Sequence, residues 1–152
     1  MSKIIIYLED DASMRNHTTN LLKEEGYNVE DFRRIDQVKE MFNEKANDIE
    51  CIITDLNMDD EWLGEYQVES DGGMLSGWVW LQRFVYTVSP DMPTIIYSGY
   101  IEYLKEHLKY MKETHLLENE NIKCVEKGAG ENEGFSGLQM VLKNLLHRGS
   151  DI

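Results

Sequence analysis

The chain has 152 residues, with 15 Lys and Arg against 29 Asp and Glu, a formal net charge of −14. That length suits one domain whose core needs no covalent staples, and 41% apolar and 10% aromatic residues exclude wholesale disorder. The charge excludes an ordinary nucleic-acid binder, whose affinity rests on Lys and Arg at phosphates, and an anionic membrane surface would repel it.

Short β-branched runs alternate with amphipathic segments. Lys3–Leu8 reads as a first strand and runs straight into Glu9-Asp10-Asp11, which is unlike a secretory signal. Met14–Glu25 puts Leu21 and Leu22 on one helical face, with Gly26 as the stop. Tyr27–Phe32 alternates weakly as a second strand. Val38, Met41, Phe42 and Ala46 then follow helical spacing, with Asp36 as the expected N-cap. Glu50–Thr54 is a third strand. Residues 59–75 form an acidic, glycine-containing insertion, and Trp78–Val85 a strongly apolar third helix with Pro90 and Pro93 beyond it. Thr94–Tyr97 is a fourth strand. Ile101, Leu104, Leu108 and Met111 make the next helical stripe, which Thr114–Asn121 is expected to extend. Lys123–Val125 is the fifth strand, and Leu138, Val141, Leu142 and Leu145 the last helical stripe.

A strand–helix unit repeated in this way predicts an α/β fold with a doubly wound five-stranded parallel sheet and helices on both faces, because each parallel return needs a long crossover. The expected organisation is a single domain, 1–152; only 147–152 follow the last helix, which leads us to expect a stand-alone domain without an effector. No apolar stretch reaches the roughly 18 residues of a membrane span. Cys51 and Cys124 lie in apolar runs and are expected to be buried free thiols, pointing to a reduced, cytoplasmic setting.

Ligands of open α/β sheets bind outside the carboxyl ends of the strands. There the sequence delivers Glu9-Asp10-Asp11 after strand one, Asp55-Leu56-Asn57 after strand three, Ser98-Gly99 after strand four and Lys127-Gly128 after strand five. Crowded carboxylates repel, and a hard divalent cation such as Mg²⁺ relieves them. Each residue also has a plain reading: a solvated helix start for Glu9–Asp11, a turn former for Asp55, a loop start for Ser98, a surface lysine for Lys127. Their arrival on one edge in order favours a site.

Taken with Ile4–Asp11, Ile52–Met58, Ser76-Gly77, Pro93–Gly99 and Val125–Lys127, the pattern resembles the receiver domain of bacterial two-component response regulators, a flavodoxin-like fold with strand order 2-1-3-4-5. The resemblance implies that Asp55 is the phosphoacceptor. It implies Mg²⁺ held by Glu9, Asp10, Asp55 and the backbone carbonyl of Asn57, with Ser98 and Lys127 as catalytic and switch residues. It implies a domain that promotes its own phosphorylation and dephosphorylation rather than a conventional enzyme. A sensor histidine kinase or a histidine phosphotransfer protein would be the phosphoryl partner, and a further protein would read the output. Gly99 leaves space for water beside the phosphoryl oxygen, and Asp11 is left as a helix cap.

The sequence departs from the family's pattern at several places. Asp59 stands where Pro often follows Met58, and Gly128 where Pro often follows the lysine, so a looser Lys127 is expected. Cys124 occupies the position of the family's swinging aromatic on strand five, leaving Tyr97 or Tyr100 to carry any coupling. The 59–75 insertion is longer than the family's loop. It reads either as a solvated loop or as a lid beside Asp55, with Trp62 and Tyr66 as packing residues. Two alternative functions stand beside the phosphorelay reading. One is a pseudo-receiver that only binds proteins. The other is a Mg²⁺-dependent phosphohydrolase, which the Asn at 57 argues against.

Overall fold

A computed structural model of the chain describes residues 3–128 and 134–147. Residues Ala129 and Gly130 of the Lys127–Gly130 run, and the tail 148–152, lie outside the described residues. The elements in chain order are β1 (Ile4–Leu8), α1 (Ala12–Glu24), β2 (Val29–Phe32), α2 (Ile35–Lys45), β3 (Ile49–Thr54), α3 (Ser76–Trp80), β4 (Thr94–Ser98), α4 (Ile101–Tyr110), β5 (Ile122–Glu126) and α5 (Phe135–His147). The strands form one parallel sheet in the order β2-β1-β3-β4-β5. This is the doubly wound, flavodoxin-like order expected from the sequence.

Strand side chains alternate between faces, so β1 feeds two cores at once. Ile6 and Leu8 pack with α2, α3 and α4 through Val38, Phe42, Trp80 and Leu104. Ile5 and Tyr7 pack on the other face with Leu22 of α1 and Leu138, Leu142 and Leu145 of α5. β1, β3 and β4 are buried on both faces, which explains their near-continuous apolar sequences. Because all strands are parallel, their carboxyl ends share one edge.

Local chemistry sets the helix ends. Asp11 caps α1, its carboxylate accepting the Met14 N–H at 3.0 Å. Gly26 follows that helix at φ +96°, a left-handed conformation that suits glycine. Asp36 is not the N-cap of α2. The helix begins earlier because Ile35 must be buried, and Gln37 Oε1 instead accepts the Arg33 and Arg34 N–H groups at 3.1 and 3.0 Å. Asp36 pairs with Arg34 at 3.0 Å.

The third helix opens at Ser76-Gly77, as the resemblance implied, and passes at Leu81–Val85 into a π-helical turn, where Tyr86 N–H donates to Leu81 O at 2.9 Å. Two expectations about α4 are corrected. Met111 is not part of the α4 stripe: it sits at the helix end, 48% exposed. Thr114–Asn121 does not extend α4, because Lys112 takes φ +58° and ends the helix before a separate 3₁₀ turn, Thr114–Glu118.

The insertion is folded rather than a solvated loop. Glu61–Ser70 is 3₁₀-helical with a break at Gly64, and Leu63 and Ser70 are fully buried. Ser70 Oγ donates to Asp60 Oδ2 at 2.8 Å and accepts the Gly73 N–H at 3.2 Å, which folds the segment back on itself. Trp62 lies under the Arg34 guanidinium, and Tyr66 meets Phe84 edge-on at 5.8 Å.

Trp80 is among the largest fully buried side chains, so Trp80→Ala is expected to lower unfolding free energy by about 3–5 kcal/mol through the cavity it leaves. Val88→Ala, at an exposed position, should change it by less than about 0.5 kcal/mol. Equilibrium denaturation of both variants measures the contrast.

Candidate functional site

The site begins where β1 ends. Glu9 N–H continues the ladder by donating to Phe32 O at 3.0 Å, which carries its carboxylate into the edge of the sheet, 1% exposed. Asp11 N–H donates to Glu9 Oε2 at 3.2 Å and Arg15 Nη1 to Glu9 O at 2.9 Å, so the residue is held from α1. Asp10 is exposed beside it. On the neighbouring strand, Asp55 N–H donates to Leu8 O at 3.1 Å, aligning Asp55 with the end of β1. Asp55 Oδ1 accepts the Leu56 N–H at 2.7 Å, and the residue is 7% exposed. Glu9, Asp10 and Asp55 each offer a carboxylate oxygen within 4.8 Å of the others.

Lys127 comes from the far side of the sheet to meet them. Its backbone N–H donates to Ser98 O at 3.1 Å, so β4 positions it. Its Nζ donates to Asp55 Oδ2 at 2.6 Å and to Glu9 Oε1, with the side chain 12% exposed. Nζ also lies 5.8 Å from the centre of the Tyr97 ring. These contacts hold Lys127 inward without a proline after it.

One ammonium does not balance this much negative charge. Burial, then the Asp55 carboxylate, push the Glu9 carboxyl up to about 7 despite Lys127. Burial works against charge on Lys127, but Asp55 and Glu9 outweigh it and raise its pKa. The oxygen-only donor set and the residual repulsion suit a hard divalent cation.

The remaining residues take distinct places. Ser98 is buried at the end of β4, its Oγ accepting the Tyr100 N–H at 3.1 Å; among the described residues its hydroxyl is not bonded to the side chain of Glu9, Asp55 or Lys127. Asn57 precedes Met58, whose N–H donates to Gly73 O at 3.2 Å and whose carbonyl accepts Ser76 Oγ at 2.7 Å. That clamp fixes the backbone at Asn57. Trp62 and Tyr66 make their ring contacts with Arg34, Phe84 and Arg83, on the α2 and α3 side, not with the carboxylates. Cys124 packs on the α4 face of the sheet, and Tyr97 on the face of α1 and α5. A Cβ on Gly99 would meet open space.

Gly77 is a site residue that composition did not reveal. A Cβ there would lie well inside contact distance of Asp55 O, and Gly77 N–H donates to Leu56 O at 3.0 Å. The start of α3 therefore packs directly on the backbone of Asp55. The Ser76-Gly77 pair after the insertion was the available signal, since small residues permit close approach.

No family model matches the chain, and no curated protein matches it in sequence. Solved structures do match in shape. A response regulator receiver domain protein from Clostridium thermocellum is 19% identical, with 97% of each chain covered and a TM-score of 0.65. A CheY-like response regulator receiver domain protein from Methanospirillum hungatei JF-1 is 16% identical over the whole of both chains, TM-score 0.61. A response regulator receiver protein from Sinorhizobium medicae WSM419 is 17% identical over 96% of this chain and 95% of that one, TM-score 0.62. The chain has the response regulator receiver fold.

Two expectations follow from the geometry. Gly77→Ala should destabilise the protein by about 1–3 kcal/mol or more, because backbone cannot move aside as a flexible side chain can; denaturation measures it. Asp55→Asn removes the charge that helps raise Glu9, so in Mg²⁺-free buffer the Glu9 carboxyl should titrate below its value of about 7. Carboxyl carbon NMR across pH 3–9 reads the midpoint directly, as an order-of-magnitude window around the ordinary carboxylate range.

Proposed function

We propose that the chain is a phosphorelay receiver that accepts a phosphoryl group on Asp55 from a sensor histidine kinase or a histidine phosphotransfer protein. The observation that carries this reading is the Lys127 ammonium bridging Glu9 and Asp55 at the carboxyl edge of a receiver fold. An Asp55 carboxylate oxygen attacks phosphorus, the phosphorus–nitrogen bond to the donor histidine breaks, and an acyl phosphate forms. Positioning and charge neutralisation supply most of the catalysis. Glu9, Asp10 and Asp55, with the Asn57 carbonyl, would hold Mg²⁺, which when bound would offset charge on the phosphoryl oxygens.

Lys127 would turn from the Asp55 carboxylate to a phosphoryl oxygen. Ser98 Oγ would exchange the Tyr100 N–H for a role as donor to the phosphoryl group. Tyr100 stands directly before α4, so that exchange would loosen the start of α4 and reshape the surface read by a downstream protein. The insertion would act as a lid: its ends close on Met58, next to Asn57, and Trp62 and Tyr66 anchor its body.

Incubation with Mg²⁺ and a small acyl phosphate should yield one phosphoryl adduct by mass spectrometry, absent in Asp55→Asn and in the presence of a chelator. No adduct would leave a pseudo-receiver that only binds proteins; rapid turnover of unrelated phosphoesters would favour a phosphohydrolase. Replacing Glu61–Ser70 by a short linker should alter the rate of adduct formation or decay, and unchanged values for both would remove the lid.

A further inference from the structure

A groove of about 680 Å³ runs between α3, α4 and the insertion, away from the carboxylates. Its floor is apolar and buried, with Trp78, Val79 and Leu108 each 5% exposed or less. Its margins are apolar and exposed, Val68 at 86% and Met111 at 48%. Large apolar side chains left in water beside a concave apolar floor mark a surface that a partner covers. Glu69, Asp71 and Glu113 line the same groove, with Arg83 as its one Lys or Arg; the Arg83 guanidinium is forked onto Glu69 and also feels the Glu113 charge. The groove is also held in shape: Tyr103 of α4 donates to Asp71, and Arg83 of the π-helical turn makes a two-pronged pair with Glu69 at 2.9 Å. Both ties join the insertion to the helices that form the walls.

We propose that this groove receives the apolar face of a basic amphipathic helix from a partner protein. A volume of this size holds several side chains, but its exposed apolar margins would leave a small molecule poorly enclosed. A helix laid along it would bury Val68 and Met111 while anchors at helical spacing reach Trp78 and Leu108. The lining sets three acids, Glu69, Asp71 and Glu113, against the single Arg83, and on a chain of net charge −14 that balance favours Lys and Arg on the partner and disfavours an acidic helix. The two ties to the insertion limit the ordering cost of binding.

The test is independent of phosphoryl chemistry at Asp55, because it uses the unphosphorylated full chain. A synthetic helical Leu–Lys peptide is titrated by fluorescence anisotropy and by backbone amide NMR. Binding should move amides at Val68–Asp71, along α3 and at Met111–Leu116, and a Leu–Glu peptide should not bind. The double substitution Val68→Ser, Met111→Gln keeps the net charge and touches only exposed side chains; it should weaken the Leu–Lys peptide by about tenfold or more. Equal affinity in that variant, shifts spread over other acidic surfaces, or no binding would overturn the proposal.

Discussion

The Lys127 ammonium sits between two carboxylates that come from separate strands, and the edge of the molecule is organised around that contact. Glu9 and Asp55 are both almost buried. Burial favours the neutral form of Glu9, and the neighbouring Asp55 charge adds to it. An ammonium carried across the sheet from β5, and aimed by a backbone hydrogen bond to Ser98, bridges the two and offsets part of their repulsion. The compensation is incomplete, as the raised Glu9 carboxyl shows. An unbalanced, oxygen-rich pocket of this kind suits a hard divalent cation.

The same contact links the site to the rest of the fold. Lys127 is reached through Ser98, Ser98 through the Tyr100 N–H to the start of α4, and Asp55 through the close approach of Gly77 to α3. A change in charge at Asp55 thus bears on two helices by short, directional contacts. The wall of the groove proposed above is made from these same helices, α3 and α4, together with the insertion. The carboxylate site and the groove are different surfaces sharing structural supports.

The insertion illustrates how composition misleads. Its acids suggested a segment solvated on all sides, yet between them stand Leu63, which joins the core, and Trp62 and Tyr66, which find Arg34, Phe84 and Arg83. Cation–ring contacts and one paired Arg83–Glu69 fork compensate for the absence of Lys and Arg within the segment itself. None of those partners is near in sequence, so no local pattern announces them.

Periodicity and strand-end chemistry were legible from residues alone because both are short-range. β-branched runs disclose strands, the strand–helix alternation requires parallel returns, and parallel returns bring Glu9, Asp55, Ser98 and Lys127 to one edge. Tertiary structure alone decided what depends on contacts between distant segments. Ile35 moved the start of α2 ahead of Asp36, and the left-handed Lys112 ended α4 before Thr114. Gly77 lies on the Asp55 carbonyl, and the Lys127 amine turned inward although glycine follows it. In each case burial or charge pairing across the fold, which no window of neighbouring residues contains, overrode the local preference.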